Sequence, residues 1–597
     1  MRGENDPRHI TNGLVIPTET YADQPYIVRT DDGAWLCVVT TGIGREGEAG
    51  QHIITMRSTD RGHTWSPPVA LEPADGPEAS YAVLLKLPSG RICCFYNHNS
   101  DNLREVIADD PPYPGGKCKR VDSLGYFVFK YSDDHGRSWS RERYPIPVRE
   151  MAIDRENPYG GKVRFFWNVG KPFIHQGAVY VPLHKVGGFG EGFFTRSEGV
   201  LLRSENLVTE QDPAKATWET LPDGDAGLRT PPEGGAIAEE QSFCVLSDGT
   251  FYCVYRTVDG HPACSYSRDG GHTWSTPQYA RYADGRLIKH PRAANFCWRC
   301  TNGKYLYWFH NHGGRGYEER NPAWLCGGIE VDTPEGKALA WSQPEIVLYD
   351  DDPYIRMSYP DLIEEDDHYY LTETQKEVAR VHEINSMLLE GLWGQFENAA
   401  VTTDGLLLRL PDARGMPRQV AMPPLPALVA RDQTRADYGT KDLRQGFTID
   451  LWVRFDSLAM GQVLLDNRTP SSQGIALQTT ARGTVEIVLH DGRMENRWDC
   501  DPGWLRIGMW HHLVVIVDGG PKIILFVIDG ILHDGGSFRQ FGWGRYNPNL
   551  RTPQGSEMLH IAPNLAGEIA SLRLYGRALR VSEAVGNYRA GVPGIKQ

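Results

Sequence analysis

Residues 240–256 read EQSFCVLSDGTFYCVYR, and residues 267–274 read SRDGGHTW. The first stretch is two apolar runs joined by a Ser-Asp-Gly turn, the pattern of a β-hairpin. The second is a polar turn ending in tryptophan. Both recur. Hairpins of the same shape are read at QPYIVRTDDGAWLCVVT (24–40), YAVLLKLPSGRICCFYN (81–97), NVGKPFIHQGAVYVPLH (168–184), AANFCWRCTNGKYLYWFH (293–310) and SYPDLIEEDDHYYLTET (358–374). Their spacing leaves room for two further strands in each repeat, so the first part of the chain is read as four-stranded blades around an axis. The turn recurs as S-x-D-x-G-x-[ST]-W at Ser58–Trp65 and Ser132–Trp139, each time at the same place in its repeat. Asp closes the turn on backbone N–H groups, Gly supplies positive φ, and Trp fills the space between blades, so these boxes are scaffold.

The region after about residue 400 lacks this repeat. FTIDLWVRFD (447–456), GTVEIVLHD (483–491), WHHLVVIVD (510–518), KIILFVIDG (522–530) and GEIASLRLYGRAL (567–579) are separated strands that suggest two packed sheets. VARVHEINSMLLEGLWGQF (378–396) is read as a connecting helix. The expected fold is all-β: a six-bladed β-propeller over 1–385, a connecting segment over 386–400, and a two-sheet β-sandwich over 401–597.

Composition narrows the function classes. A chain of 597 residues with a formal net charge of −14 and no dense basic stripe is a poor nucleic-acid binder. No run approaches the ~18–20 apolar residues of a membrane helix. The start, MRGENDPRHI, has no apolar core, so the expected location is the cytoplasm, or outside the cell if a signal peptide has been removed. Of the 11 cysteines several sit inside apolar runs (Cys37, Cys93, Cys94, Cys244 and Cys253), and Cys297-Trp-Arg-Cys300 is a single CxxC without a second pair. They are read as structural, and no metal or cofactor is expected.

In a propeller the start of each hairpin's first strand and the end of its second lie on one face near the axis. The residue seven after the turn Gly (after Asp367 in the last repeat) is Thr40, Asn97, His184, Arg256, His310 and Thr374. Six polar residues at the ends of apolar strands point to a polar pocket on that rim. Asp23, Glu78, His98, Glu239, Glu240, His312 and Tyr359 reach the same rim. A tyrosine near a carboxylate and cations can be activated: Glu takes the phenol proton and Arg lowers the phenol pKa.

The three boxes are those of Asp-box propellers, and residues 10–385 resemble the sialidase superfamily. WHHLVV, the VIDG strand end and GEIASLRLYGRAL resemble the laminin-G-like, concanavalin-type lectin fold. The resemblance implies roles for particular residues. Glu240 would be the carboxylate that activates the nucleophile, and Arg256, sixteen residues on, a substrate clamp. Tyr359, in Ser358-Tyr359-Pro360-Asp361-Leu362, would be the nucleophile, and Arg315 or Arg320 a further clamp. Two departures stand out. The family's first hairpin opens with Arg-Ile-Pro, whereas this chain has Asp23-Gln24-Pro25. The family's acid/base Asp falls at about His52, with Glu46 and Glu48 nearby. Asp23 removes a bidentate grip on a sialic carboxylate and would repel it.

The expectation is therefore an exo-acting glycoside hydrolase of sialidase-like type, other than an ordinary sialidase, acting on a glycan. Tyr359, Glu240 and His52 or Glu48 carry the chemistry. Arg256, Asp23, Glu78, Asn97, His98, His184, His310 and Arg315 or Arg320 bind substrate. Two alternatives are weighed. One is a polysaccharide lyase on uronate-containing glycans, using His52, His98, His184, His310, His312 and Tyr359. The other is a non-catalytic glycan-binding protein. The sandwich is either a carbohydrate-binding module or a brace.

Overall fold

The computed structural model of the protein describes residues 6–411, 415–434, 436 and 439–592. Six antiparallel sheets come first, and each expected hairpin forms the two inner strands of one. The first is built from Tyr21–Arg29, Trp35–Gly42, His52–Ser58 and Val69–Ala70, in that order. The other five follow the same plan around the ring, as blades 2 to 6. Glycine sits at φ +83° to +89° in the tight turns at Gly33, Gly90 and Gly249, where a side chain would be strained. Blade 6 makes the same turn with Asp366 and Asp367 at φ +50° and +64°.

Two features depart from the simple reading. In blade 3 the inner strand is broken into Phe166–Trp167 and Phe173–His175, both paired with Ala178–Phe189. In blade 6 the outer strand comes from the other end of the propeller: Leu14–Ile16 pairs with Ala379–Ile384 and closes the ring. The segment 378–396 is accordingly not one helix. Its first part is that third strand of blade 6. The helix is only Ser386–Gly394, started by Asn385, whose side chain accepts from Met387 N.

The S-x-D-x-G-x-[ST]-W turns join third to fourth strands of blades 1, 2 and 4 with one hydrogen-bond scheme. Ser58 Oγ accepts from Gly62 N at 2.8 Å, and the Asp60 carboxylate accepts from Thr64 N at 2.8 Å and Thr64 Oγ1 at 2.6 Å. Ser132/Asp134 and Ser267/Asp269 repeat these bonds. The tryptophans bridge blades: Trp139 of blade 2 donates to Thr55 Oγ1 of blade 1.

A two-sheet sandwich follows. One sheet carries Phe447–Phe455, Trp510–Asp518, Ile523–Ile528 and Gly567–Tyr575; the other carries Val463–Asp466, Gly474–Thr479 and Val485–His490. Their facing side chains form one core. The outer face of the first sheet is also covered. Val514, Ile516, Leu525 and Val527 pack with Tyr307, Trp341 and Tyr349 of blade 5 and its exit. Burial on both faces explains why WHHLVVIVD and KIILFVID are continuous apolar runs rather than alternating ones. Glu345 of blade 5 accepts from Val581 N and Ser582 N, at the start of the sandwich helix Val581–Arg589.

Candidate active site

The inner strands of four blades begin with a non-glycine residue in the left-handed region: Gln24 (φ +51°), Tyr81 (+59°), Glu240 (+58°) and Tyr359 (+47°). At the first three the strand pairing skips, between Asp23 and Tyr26, Ser80 and Val83, and Glu239 and Ser242. A bulge re-aims side chains that regular pleating would send between blades, and such strain is held where the surroundings over-determine it.

These side chains meet at the axis. Tyr359 Oη donates to Glu240 Oε1 at 2.8 Å, and the Arg256 guanidinium lies 3.0 Å from Glu240 Oε2. Arg256 also holds Glu239 at 2.8 Å, and Arg292 holds that carboxylate from the other side at 2.8 Å. Arg320 donates to Ser358 Oγ at 2.7 Å and to Tyr317 O at 2.8 Å. Lys376 Nζ stands 4.3 Å above the Tyr359 ring, 2.8 Å from Asp23 Oδ2 and 3.2 Å from Glu46 Oε1. Arg120 reaches Glu46, Asp122 and the Tyr81 hydroxyl, and the Tyr81 ring stacks on Trp167 with centroids 4.6 Å apart. Tyr317 covers Arg292, 4.8 Å from its ring centroid, and Arg256 at 5.7 Å.

Burial and charge separate the two neighbouring glutamates. Burial raises the Glu239 carboxyl, but Arg292 and Arg256 outweigh it and hold the group at about 2. Burial also raises Glu240; Arg256 opposes it and the Glu239 charge adds to it, leaving the group above the ordinary carboxylate range. Burial, then the Glu240 charge, pushes the Tyr359 phenol up, with Arg256 pulling the other way. Tyr359 is 2% exposed and Arg256 1%. A cavity of about 910 Å³ opens beside the cluster between blades 1 and 6, lined among others by Tyr21, Ile43, Glu46, Arg356 and Lys376.

The expected residues divide. Tyr359, Glu240 and Arg256 are brought together, and Arg320 rather than exposed Arg315 stands beside them. His184 lies just below, its Nδ1 accepting from Glu240 N at 3.4 Å. Asp23 is at the axis, but Tyr21, Lys376 and its neighbour's N–H occupy its oxygens. Asn97 bonds Phe166 O. Glu78 pairs with Arg104, His98 with Ser100, and His310 stacks on His290. His52 bonds Gly50 O and faces Glu19, and exposed Glu48 accepts from Arg45 N. The carboxylate of that loop with contacts to the cluster is Glu46.

The histidines proposed for elimination therefore have separate partners. Burial holds His184 at about 3 and His312 at about 4, and pushes His310 well below the ordinary imidazole range. Among the described residues no three His, Cys, Asp or Glu side chains are grouped to hold a metal. Sequence reasoning missed Arg292, Lys376, Arg120, Asp122, Trp167 and Tyr317. Lys376 follows the rim residue Thr374 by two, a position open to reading. Arg120 and Tyr317 lie in irregular loops with no periodic signal.

Residues 432–584 match the family model of the concanavalin A-like lectin/glucanases superfamily. No curated protein matches the chain. Among solved structures, the chain is similar to Trypanosoma rangeli sialidase in complex with 2,3-difluorosialic acid, at 13% identity and TM-score 0.42, over 98% of this chain and 96% of that one. It is also similar to the intramolecular trans-sialidase from Ruminococcus gnavus in complex with oseltamivir carboxylate, at 16% and 0.42, over 63% and 97%. A Dyadobacter fermentans DSM 18053 protein of unknown function gives 15% and 0.44, over 62% and 98%. Among the described residues no helix is long and apolar enough to cross a membrane.

Proposed function

We propose that this protein is an exo-acting glycoside hydrolase that removes a terminal sugar through a tyrosine nucleophile. The observation that carries the reading is the 2.8 Å bond from Tyr359 Oη to Glu240, with Arg256 on the other carboxylate oxygen. A phenol is a poor nucleophile while protonated, and a carboxylate in line with it removes that obstacle. Tyr359 Oη attacks the anomeric carbon as its proton passes to Glu240. The bond to the leaving oxygen breaks, and that oxygen takes a proton from solvent. Water then displaces the tyrosine, giving up a proton to a nearby carboxylate, and Glu240 returns the phenol proton. Two displacements at one carbon retain its configuration.

Glu46 is the best-placed group to act as base on the incoming water, in place of His52 or Glu48. It lines the open cavity and shares Lys376 with the face of Tyr359. Burial raises its carboxyl, but Lys376 and Arg120 outweigh it and leave Glu46 ionised in the free protein. Its substitution should therefore slow the step in which water displaces the tyrosine, lowering kcat for good and poor leaving groups alike.

The charges argue against an ordinary sialidase. Arg256, Arg292, Arg120 and Lys376 are each neutralised by carboxylates of the site. Arg320 bonds neutral oxygens. A substrate carboxylate would meet Arg320 and the exposed Arg356 of the cavity lining, with the other four cations already neutralised, so a sugar recognised largely through hydroxyls fits better.

The test is a panel of terminal sialosides and uronate- or deoxysugar-capped oligosaccharides, with products read by mass spectrometry. Products that together exceed the substrate by one water support hydrolysis, and the released sugar names the specificity. An unsaturated product of unchanged total mass overturns it. Binding without turnover leaves a glycan-binding protein.

A further inference from the structure

We propose that the sandwich loop Asp534–Arg545 is a positioning element of the axial site, so that the C-terminal sandwich completes the catalytic unit. The proposal rests on the hydrolase reading for its activity arm and on geometry alone for its structural arm.

Two loops of the propeller bring Arg292, Tyr317 and Arg320 to the axis. One enters blade 5, and the other joins that blade's second and third strands. They are tied to each other by Arg292 N donating to Gly316 O at 3.0 Å. Both are held from outside by the same stretch of the sandwich. On the first loop, Lys289 Nζ donates to Asp534 O at 2.8 Å and Arg539 O at 2.9 Å. On the second, Gly313 N donates to Gln540 O at 3.0 Å, Trp543 Nε1 to Asn311 O at 3.1 Å, and Arg545 to Asn321 O at 2.8 Å.

The side chain of Gln540 holds the two ends of the second loop together. Its amide meets His312 Nδ1 at 3.2 Å and the Glu319 carboxylate. His312 Nδ1 also accepts from Gly314 N, and its Nε2 bonds Glu319 O at 2.8 Å. These partners assign the neutral ring with its proton on Nε2. Glu319 immediately precedes Arg320 and is itself left-handed at φ +64°. Gln540 thus fixes the backbone from which Arg320 reaches Ser358 Oγ, next to Tyr359. Displacing a positioning group by about 1 Å can cost catalysis about a hundredfold, so contacts remote from the chemistry matter here.

Gln540 is exposed, so Gln540→Ala should leave the fold intact. The experiment compares the full-length protein with Gln540→Ala, Glu319→Ala, the double variant and Gln540→Lys. The structural arm is amide hydrogen exchange and needs no ligand. Exchange across 311–321 should rise about tenfold in Gln540→Ala, while the inner strands of blade 5 keep their protection. The activity arm uses the capped oligosaccharide that the unsubstituted protein cleaves fastest in the panel. There kcat/KM should fall about tenfold, the double variant should fall no further than either single one, and Gln540→Lys, which keeps a donor for Glu319, should recover activity to within about threefold. The thermal midpoint should not move.

Unchanged exchange across 311–321 overturns the proposal. So does altered exchange with kcat/KM within about twofold of the unsubstituted protein. If nothing in the panel is cleaved, the hydrolase reading has failed, and the exchange arm decides the positioning alone.

Discussion

Tyr359 of blade 6 donates its phenol proton to Glu240 of blade 4, two blades away around the ring, and both residues hold left-handed backbone at the heads of their inner strands. Neither side chain would face the axis from a regular strand. The bulge at Glu240 and the left-handed backbone at Tyr359 bring them together, and the neighbouring charges distinguish Glu240 from Glu239.

Tyr359→Phe and Glu240→Gln should each reduce turnover by at least about 10²-fold without loss of fold, since each removes a group that acts on one proton. With a fluorinated, slow-turnover glycoside of the cleaved sugar, intact-mass measurement should show one glycosyl adduct on the unsubstituted protein and none on Tyr359→Phe. An adduct on another residue would assign the nucleophile elsewhere. Glu240 must be ionised to accept the proton. Its raised pKa therefore places the acid limb of kcat/KM above the ordinary carboxylate range.

The adjacent glutamates should separate in stability. Glu239→Gln leaves the buried Arg256 and Arg292 short of their shared counter-charge, at a cost of about 3–5 kcal/mol. Glu240→Gln leaves Arg256 paired to Glu239 and replaces a carboxylate already disfavoured by burial, so it should cost much less. Urea unfolding monitored by tryptophan fluorescence measures both. Equal losses would refute the division of roles.

The scaffold was more legible than the site, for physical reasons. Hairpin turns and S-x-D-x-G-x-[ST]-W boxes are local: Asp60 and Thr64 make their bonds within five residues, so the pattern lies in adjacent letters. Rim residues such as Arg256 were placed by counting from a turn, because strand register carries position. Arg120, Arg292 and Tyr317 arrive from loops whose course is set by tertiary contacts. The closing strand Leu14–Ile16 is too short for periodicity and pairs more than 360 residues away. At the loop after blade 1's second strand, the linear match selected His52, whereas the loop's course brings Glu46 to Lys376 and Arg120.

The buried imidazoles set a pH dependence of stability. His184 and His290 are held at about 3 in the folded protein, whereas an unfolded chain takes up these protons near about 6.5. Between those values the unfolded state binds more protons, so stability falls as pH drops through the window. Each imidazole contributes up to about 1.4 kcal/mol per pH unit where it is charged unfolded and neutral folded. His184→Asn, which keeps an acceptor for Glu240 N, should make the decline from pH 6 to 4 shallower by about that amount. Denaturant midpoints across that range test it, and parallel slopes would show that His184 takes up its proton in the folded state as readily as in the unfolded chain.

Lys376 and Asp23 test what stands where the resemblance implies a clamping arginine. Asp23 is wholly buried, and its carboxylate oxygens already accept from Tyr21, Lys376 and Gln24 N. It is therefore a counter-ion that holds Lys376 over the Tyr359 ring, rather than a free acceptor for sugar hydroxyls. Lys376→Met strands Asp23 and takes a partner from Glu46, so it should destabilise by about 3–5 kcal/mol. Adding Asp23→Asn should recover most of that stability, because the stranded charge is then gone. Activity should not return with it, since Glu46 and the face of Tyr359 still lack the ammonium. A direct hold of Asp23 on substrate predicts a different result: Asp23→Asn alone would raise KM while leaving stability and kcat unchanged. Thermal unfolding and steady-state kinetics on the three variants separate the two roles, and the double variant decides, because only the counter-ion role lets it recover stability without turnover.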